Sequence, residues 1–227
     1  MIVAIHQPNF LPWLGFFSKA AKADVFVLLD DVPFTRRGYQ NRVCVKGATG
    51  PHWLTVPVQS KGKYGQLTLE VLIDNSVRWA DKILSTLRHD YARARFFRET
   101  LDLVSPVLSL QRERLVDLTI PLIEVLFDAL AIRVQVVRAS DLGVGGTSSE
   151  HLAQLVAAVG GHTYLSGPSG KAYMDEAVFE RAGIAVGYTS FVEPHYAQLH
   201  GDFAPGLSVI DALCTVGPAQ TRAMLGR

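Results

Sequence analysis

The sequence predicts an α/β fold: a mostly parallel open sheet of about five strands with helices on both faces, an antiparallel hairpin insertion and a helical middle segment. Two features predict it. Short apolar runs such as Ile2 to Ile5 and Val25 to Leu29 read as strands buried on both faces. Between such runs lie stretches with a helical apolar period, and this strand–helix–strand pattern opens the chain and returns in its last third. A single domain over residues 1–227 is expected, since the length fits one large core and no linker or repeat divides it.

The first unit runs from Ile2–Ile5 through a helix over Leu14 to Ala23 to the strand Val25–Leu29, with Pro8 and Pro12 interrupting the first connection. Gln40 to Lys46 and His52 to Val58 flank the turn residues Gly47-Ala48-Thr49-Gly50 and read as a hairpin. Leu67 to Ile73 is a further strand candidate. Trp79, Ile83, Leu84 and Leu87 place a helix over Val77 to Tyr91. A second apolar stripe from Leu115 to Leu130 reads as core packing, with Pro121 a predicted kink. The last third gives strands over Val134–Val137, Thr163–Ser166 and Ile184–Tyr188. One helix opens at the capping-box pattern Thr147-Ser148-Ser149-Glu150 and runs to Val159, another covers Asp175–Ala182, a short one covers Val209–Cys214, and a further one follows Pro218.

If the late strands flank the first on the side away from the second, the strand order reverses beside strand one. Ligands of open α/β sheets bind at such switch points, at the carboxyl ends of the strands. The loops His6 to Asn9, Asp141 to Ser148 and Ser166 to Lys171 would then converge.

Composition narrows the function. The formal charge of +1 gives no global field for nucleic acid or an anionic membrane surface, so neither is an expected partner; a small-molecule substrate is. No apolar run approaches the ~20 residues needed to span a bilayer, and Met1 leads directly into a strand, so a cytoplasmic location is expected. Cys44 and Cys214 form neither a disulfide framework nor a metal-ligand spacing. No cofactor fingerprint is found. Gly143 to Ser148 resembles one only faintly, and Ser166 to Lys171 has neither P-loop nor nucleophile-elbow spacing.

The polar residues offer several candidates. His6 sits just past the first strand, where an imidazole can exchange protons near neutrality, and Gln7 and Asn9 add directional donors and acceptors. Asp30 and Asp31 end the second strand; adjacent residues of extended chain face opposite ways, so one faces the site, with Asp31 preferred, and turn capping explains the pair equally well. Arg36, Arg37, Tyr39, Gln40, Asn41 and Arg42 suit a phosphate, carboxylate or sugar, or else a solvated edge strand guarded by charge. Ser166, Gly167, Lys171 and Tyr173 permit close approach of an anionic ligand. His195, Tyr196, Gln198, His200 and Asp202 form a late polar cluster without a third zinc ligand, so no metal site is expected.

Taken in order, Ile5-His6-Gln7-Pro8-Asn9-Phe10-Leu11-Pro12-Trp13, Leu29-Asp30-Asp31-Val32, Gln40-Asn41-Arg42, Trp53-Leu54-Thr55-Val56-Pro57-Val58, Tyr164 to Gly170 and Leu207-Ser208-Val209-Ile210-Asp211 resemble the WbqC-like protein family over nearly the whole chain. The resemblance implies tailoring of small molecules in surface-polysaccharide or specialised-metabolite synthesis. It adds Asp211 to the candidates, and His200 joins them from the late cluster. Ile83 departs from the basic or histidine residue that relatives carry there, and neither cysteine belongs to the pattern. The expectation is an acyl- or aminoacyltransferase acting on an amine of a sugar nucleotide or of a carrier-bound intermediate. In it His6 is the general base, Asp31 orients His6 or holds the amine, and the donor is an acyl thioester or a carrier protein. The alternatives are ATP-dependent nucleotidyl transfer and a non-catalytic ligand-binding or scaffold module.

Overall fold

A computed structural model describes residues 1–226. Strands β1 (Ile2–His6), β2 (Val25–Leu28), β5 (Gln135–Arg138), β6 (Thr163–Ser166) and β7 (Ala185–Tyr188) form one parallel sheet in the order β5-β2-β1-β6-β7. β3 (Arg42–Gly47) and β4 (Gly50–Thr55) form a separate antiparallel hairpin. Helices α1 (Leu14–Ala20), α2 (Trp79–Tyr91), α3 (Phe97–Ser109), α4 (Val116–Ala129), α5 (Ala139–Leu142), α6 (Ser148–Ala158), α7 (Glu176–Arg181) and α8 (Val209–Met224) complete the fold.

Strand alternation explains why both faces of the sheet are covered. Ala4, Phe26 and Leu28 point into one core, packed by α1, α2, α3, α4 and α8; Val3, Ile5, Val25 and Val27 point into the other, packed by α5, α6 and α7. The first core is anchored by Phe16, Phe17, Phe26 and Phe127, whose rings meet mostly edge to face at 5.1–5.7 Å.

Several elements differ from the sequence reading. Leu67 to Ile73 is not a strand: Thr68–Glu70 is a 3-10 turn, and the segment pairs only through isolated bridges, Leu67 with Pro33, Leu72 with Arg114 and Ile73 with Val58. The apolar alternation there comes from a loop that lays Thr68, Val71 and Ile73 inward. α3 has no counterpart in the sequence reading, and Pro106 in its interior weakened the signal. Pro121 sits within a continuous α4. Thr147 precedes α6 without a side-chain cap bond, so the capping-box pattern is present and its reciprocal bonds are not. As expected, the tail holds two helical stretches: α8 is broken at Gly217, whose φ of 80° and ψ of 169° are not helical and whose missing Cβ makes room for the Phe96 ring. β5 extends the sheet beyond β2, while β6 and β7 lie across β1, so the order reverses between β1 and β6.

Asp30 locks the end of β2 to β5. It is fully buried; its Oδ2 accepts from Arg138 Nε and Nη2 at 2.9 and 2.7 Å and from Ser140 Oγ at 2.9 Å, and its Oδ1 accepts from Ser140 N at 3.0 Å. Removing one partner of such a buried pair leaves the other charge unmatched, so Asp30→Ala should cost about 3 kcal/mol in chemical denaturation. A loss below about 1 kcal/mol would show that the lock carries little of the fold.

Candidate functional site

A cavity of about 550 Å³ opens at the strand reversal. Its walls come from the loops after β1 and β6, from the start of α6 and from the first turns of α1, so the three loops expected to converge do so through His6 and Gln7, Ser148, and Ser166 to Ser169. Trp13, Phe16, Leu29 and Phe191 supply apolar wall, and His6, Lys19, His151, Ser169 and Thr189 supply polar groups. Trp13 lies close over α1 because Gly15 has no Cβ: one built there would run into the indole. Ser148 holds a φ of 52° where α6 begins, a strained backbone position at the cavity wall.

The geometry of β1 fixes the state of His6. Its Nδ1 lies 3.0 Å from the Gln7 carbonyl, and since a carbonyl only accepts, Nδ1 carries the proton and Nε2 holds a lone pair. The ring rests edge-on against Phe16 at 4.9 Å. Burial, helped by the nearby Lys19 ammonium, lowers the imidazole to about 3, so His6 is neutral at physiological pH. Lys19 is nearly buried on the inner face of α1, donates to the Ile5 carbonyl at 2.7 Å and is pulled by burial to about 7. Sequence reading passed over Lys19; the signal was a lysine flanked by Phe16, Phe17 and Ala20 on an otherwise apolar helix face.

Asp31 meets His151 rather than His6. Its Oδ2 lies 3.0 Å from His151 Nε2, while His151 Nδ1 donates to the Gly145 carbonyl at 2.8 Å. The contact attracts only when Nε2 also carries a proton, and neither Nε2 nor Asp31 Oδ1 has a well-aligned hydrogen-bond partner. His151 lines the cavity and was not singled out from the sequence, because a lone histidine within a helical apolar pattern gives no signal.

Of the candidates, His6, Gln7, Ser166, Gly167 and Tyr173 line the cavity, with Asp31 behind His151. The others serve elsewhere. Asp30 ties strands together as described. Asn9 and Gln40 are buried, and Asn41 Nδ2 donates to the Val56 carbonyl at 2.8 Å. Lys171 lies over the Tyr188 ring at 4.8 Å. His200 Nε2 donates to the Asp90 carbonyl at 2.7 Å, and Asp211 accepts from the Tyr91 hydroxyl at 2.9 Å, so both brace α2 against the segments that follow β7. Arg36, Arg37, Tyr39 and Arg42 lie on the surface around the hairpin. Burial pushes the Cys214 thiol up to about 12 and raises Cys44 as well, and neither lines the cavity, which leaves no ready thiolate there. Among the described residues no group of three or more His, Cys, Asp or Glu could hold a metal ion, and no helix is long and apolar enough to cross a membrane.

Comparison with known proteins follows this geometry. The WbqC-like protein family model matches residues 7–223. The chain belongs to the WbqC-like protein family. A relative in Mycobacterium tuberculosis, the uncharacterized protein Rv1507c, is 36% identical over 217 residues, covering 95% of this chain and 94% of its own length. No solved structure matches significantly. The family match takes in the cavity-lining residues from Gln7 to Phe191, while Ile5 and His6 lie just before its first residue.

The state of His6 is directly observable. Nitrogen-15 imidazole spectra should show the neutral Nδ1–H form of His6 unchanged from pH 8 down to about 5, because its folded value lies near 3. An ordinary titration centred near 6.5 would contradict the described environment. For stability the sign follows from linkage: the unfolded chain binds the His6 proton first, so stability falls as pH drops from about 6.5 toward 3, and His6→Gln should flatten that slope in denaturation curves.

Proposed function

We propose that this protein is an acyl- or aminoacyltransferase acting on an amine, with His6 as general base. One observation carries the reading. A neutral imidazole lines a half-enclosed cavity at the strand switch point, with Nδ1 committed to the Gln7 carbonyl and a lone pair left on Nε2. The cavity volume suits a small acceptor together with the reacting end of a donor.

In this reading the acceptor amine attacks the acyl carbon of a thioester or comparably activated carboxyl. As the C–N bond forms, the amine N–H becomes acidic and its proton passes to His6 Nε2. Gln7 and the cavity hydroxyls, which line the same cavity, would donate to the tetrahedral oxyanion. When the intermediate collapses, the C–S or C–O bond breaks and His6 returns the proton to the leaving group. A proton on His6 is short-lived, because burial and the Lys19 charge both disfavour it, and this speeds the second transfer.

Lys19 gives the scheme a pH signature. While charged it depresses the basicity of His6; as it loses its proton near pH 7 that penalty lifts. Turnover at low substrate should therefore rise through a midpoint near 7, and Lys19→Met should abolish that step in the pH–rate profile. The founding test incubates purified protein with acyl thioesters and a panel of amines and detects amide product by mass spectrometry. His6→Gln should lower its formation roughly 10²–10⁴-fold with little change in thermal stability. Pyrophosphate release from ATP would assign nucleotidyl transfer instead, and tight binding without turnover would assign a binding module.

A further inference from the structure

The arginine-rich segment before the hairpin lies outside the cavity, and its arrangement calls for an explanation of its own. Residues 32–69 contain no Asp or Glu and hold six of the 22 Lys and Arg; the rest of the chain carries 16 against 21 acidic residues, a net of −5. Lys46 is buried, which leaves Arg36, Arg37, Arg42, Lys61 and Lys63 as the surface cations of this stretch. Three aromatic side chains stand exposed among them: Tyr39 at 53%, Trp53 at 45% and Tyr64 at 84%.

These groups form a connected face. On β4, Trp53 points outward while Leu54 turns into the core; Arg42 lies over the Trp53 ring at 4.2 Å, and Tyr39 sits 5.7 Å from it. The Arg42 guanidinium donates to the Arg37 carbonyl. Arg36 covers Tyr64 at 4.9 Å and donates to the Ser60 carbonyl, which joins the loop before the hairpin to the loop after it. The face also adjoins the cavity. Phe10 N–H donates to the Tyr39 carbonyl at 3.0 Å, which holds the loop carrying His6 and Gln7, and Val32 of the cavity wall accepts from Thr68 N at 2.9 Å.

We infer that this face docks a small acidic protein, a carrier domain that presents the activated acyl group to the cavity; the inference rests on the transfer reading above. Arginine, tyrosine and tryptophan are the residue types enriched at protein interfaces, and a concentrated positive face steers an acidic partner into register. Two observations favour a compact acidic protein over a nucleic acid. Arg42 and Arg36 already cover ring faces of Trp53 and Tyr64 on which a base would stack. Beyond the face the chain is net acidic, which repels an extended polyanion but leaves a partner of small footprint unaffected.

The test measures binding of a purified phosphopantetheinylated acyl carrier protein to the full chain by fluorescence anisotropy. Free coenzyme A and a single-stranded RNA oligonucleotide serve as alternative probes. Binding of the carrier protein should weaken at least about tenfold between roughly 50 and 300 mM salt, because added ions screen the attraction between solvent-exposed charges of opposite sign. Lys61→Glu/Lys63→Glu and Arg36→Glu should each weaken it about tenfold while melting temperature holds, and His6→Gln should leave it unchanged. No binding, binding indifferent to charge reversal, or tighter binding to the RNA would overturn the inference. Failure of docking while free thioesters are still turned over would leave the transfer reading standing; docking without any turnover would do the reverse.

Discussion

The hydrogen bond from Lys19 Nζ to the Ile5 carbonyl holds the first helix against the open end of the central strand, and the cavity is shaped by that junction. At its end β1 has β2 on one side and β6 on the other, so the backbone there faces a crevice, and α1 closes one flank of it. A lysine is an unusual choice for such a clamp, because burying its charge is costly; burial draws its proton affinity down to about 7. Burial keeps the neighbouring imidazole neutral, and the Lys19 charge adds to that effect. The junction of α1 with β1 thus shapes the first crossover and encloses the residue assigned the chemistry.

The sheet reversal supplies the rest. Three loops from separate stretches of chain meet because β1 and β6 are neighbours, and this brings Ser148 and His151 of α6 to the same cavity as His6. Asp30 and Asp31, adjacent in sequence, take different duties as extended geometry requires: Asp30 locks β2 to β5 and Asp31 faces His151. The cavity therefore holds two imidazoles in contrasting settings, one backed by an ammonium and one by a carboxylate.

Much of this was legible in the sequence. Buried strands without charge, such as Val25 to Leu28, and the strand–helix alternation made the sheet and the reversal beside β1 readable, and His6 and Ser166 were marked by standing at the carboxyl ends of strands. What was not legible depends on long-range contact. Lys19 and His151 sit on helices whose periodicity shows an inward face but not what that face meets. Arg36 to Arg42 stood out by composition, yet only the structure shows that none of them lines the cavity and that Arg36 and Arg42 lie over Tyr64 and Trp53 instead. Asp211 and His200 drew attention as polar residues late in the chain; pairing with the Tyr91 hydroxyl accounts for the burial of Asp211, and His200, exposed, is held by the Asp90 carbonyl. Leu67 to Ile73 read like a strand because a loop can turn Thr68, Val71 and Ile73 inward while pairing only through isolated bridges.

The claim on which the account turns is that a free, neutral Nε2 at residue 6 accepts the proton during transfer. Chemical rescue tests it most directly: His6→Gly opens an imidazole-sized gap in the cavity wall, and added imidazole should restore amide formation saturably, in proportion to the neutral imidazole present as pH is varied. Wild-type turnover by His6→Gly without imidazole, or an inactive variant that no concentration of imidazole revives although it stays folded and binds substrate, would contradict the account.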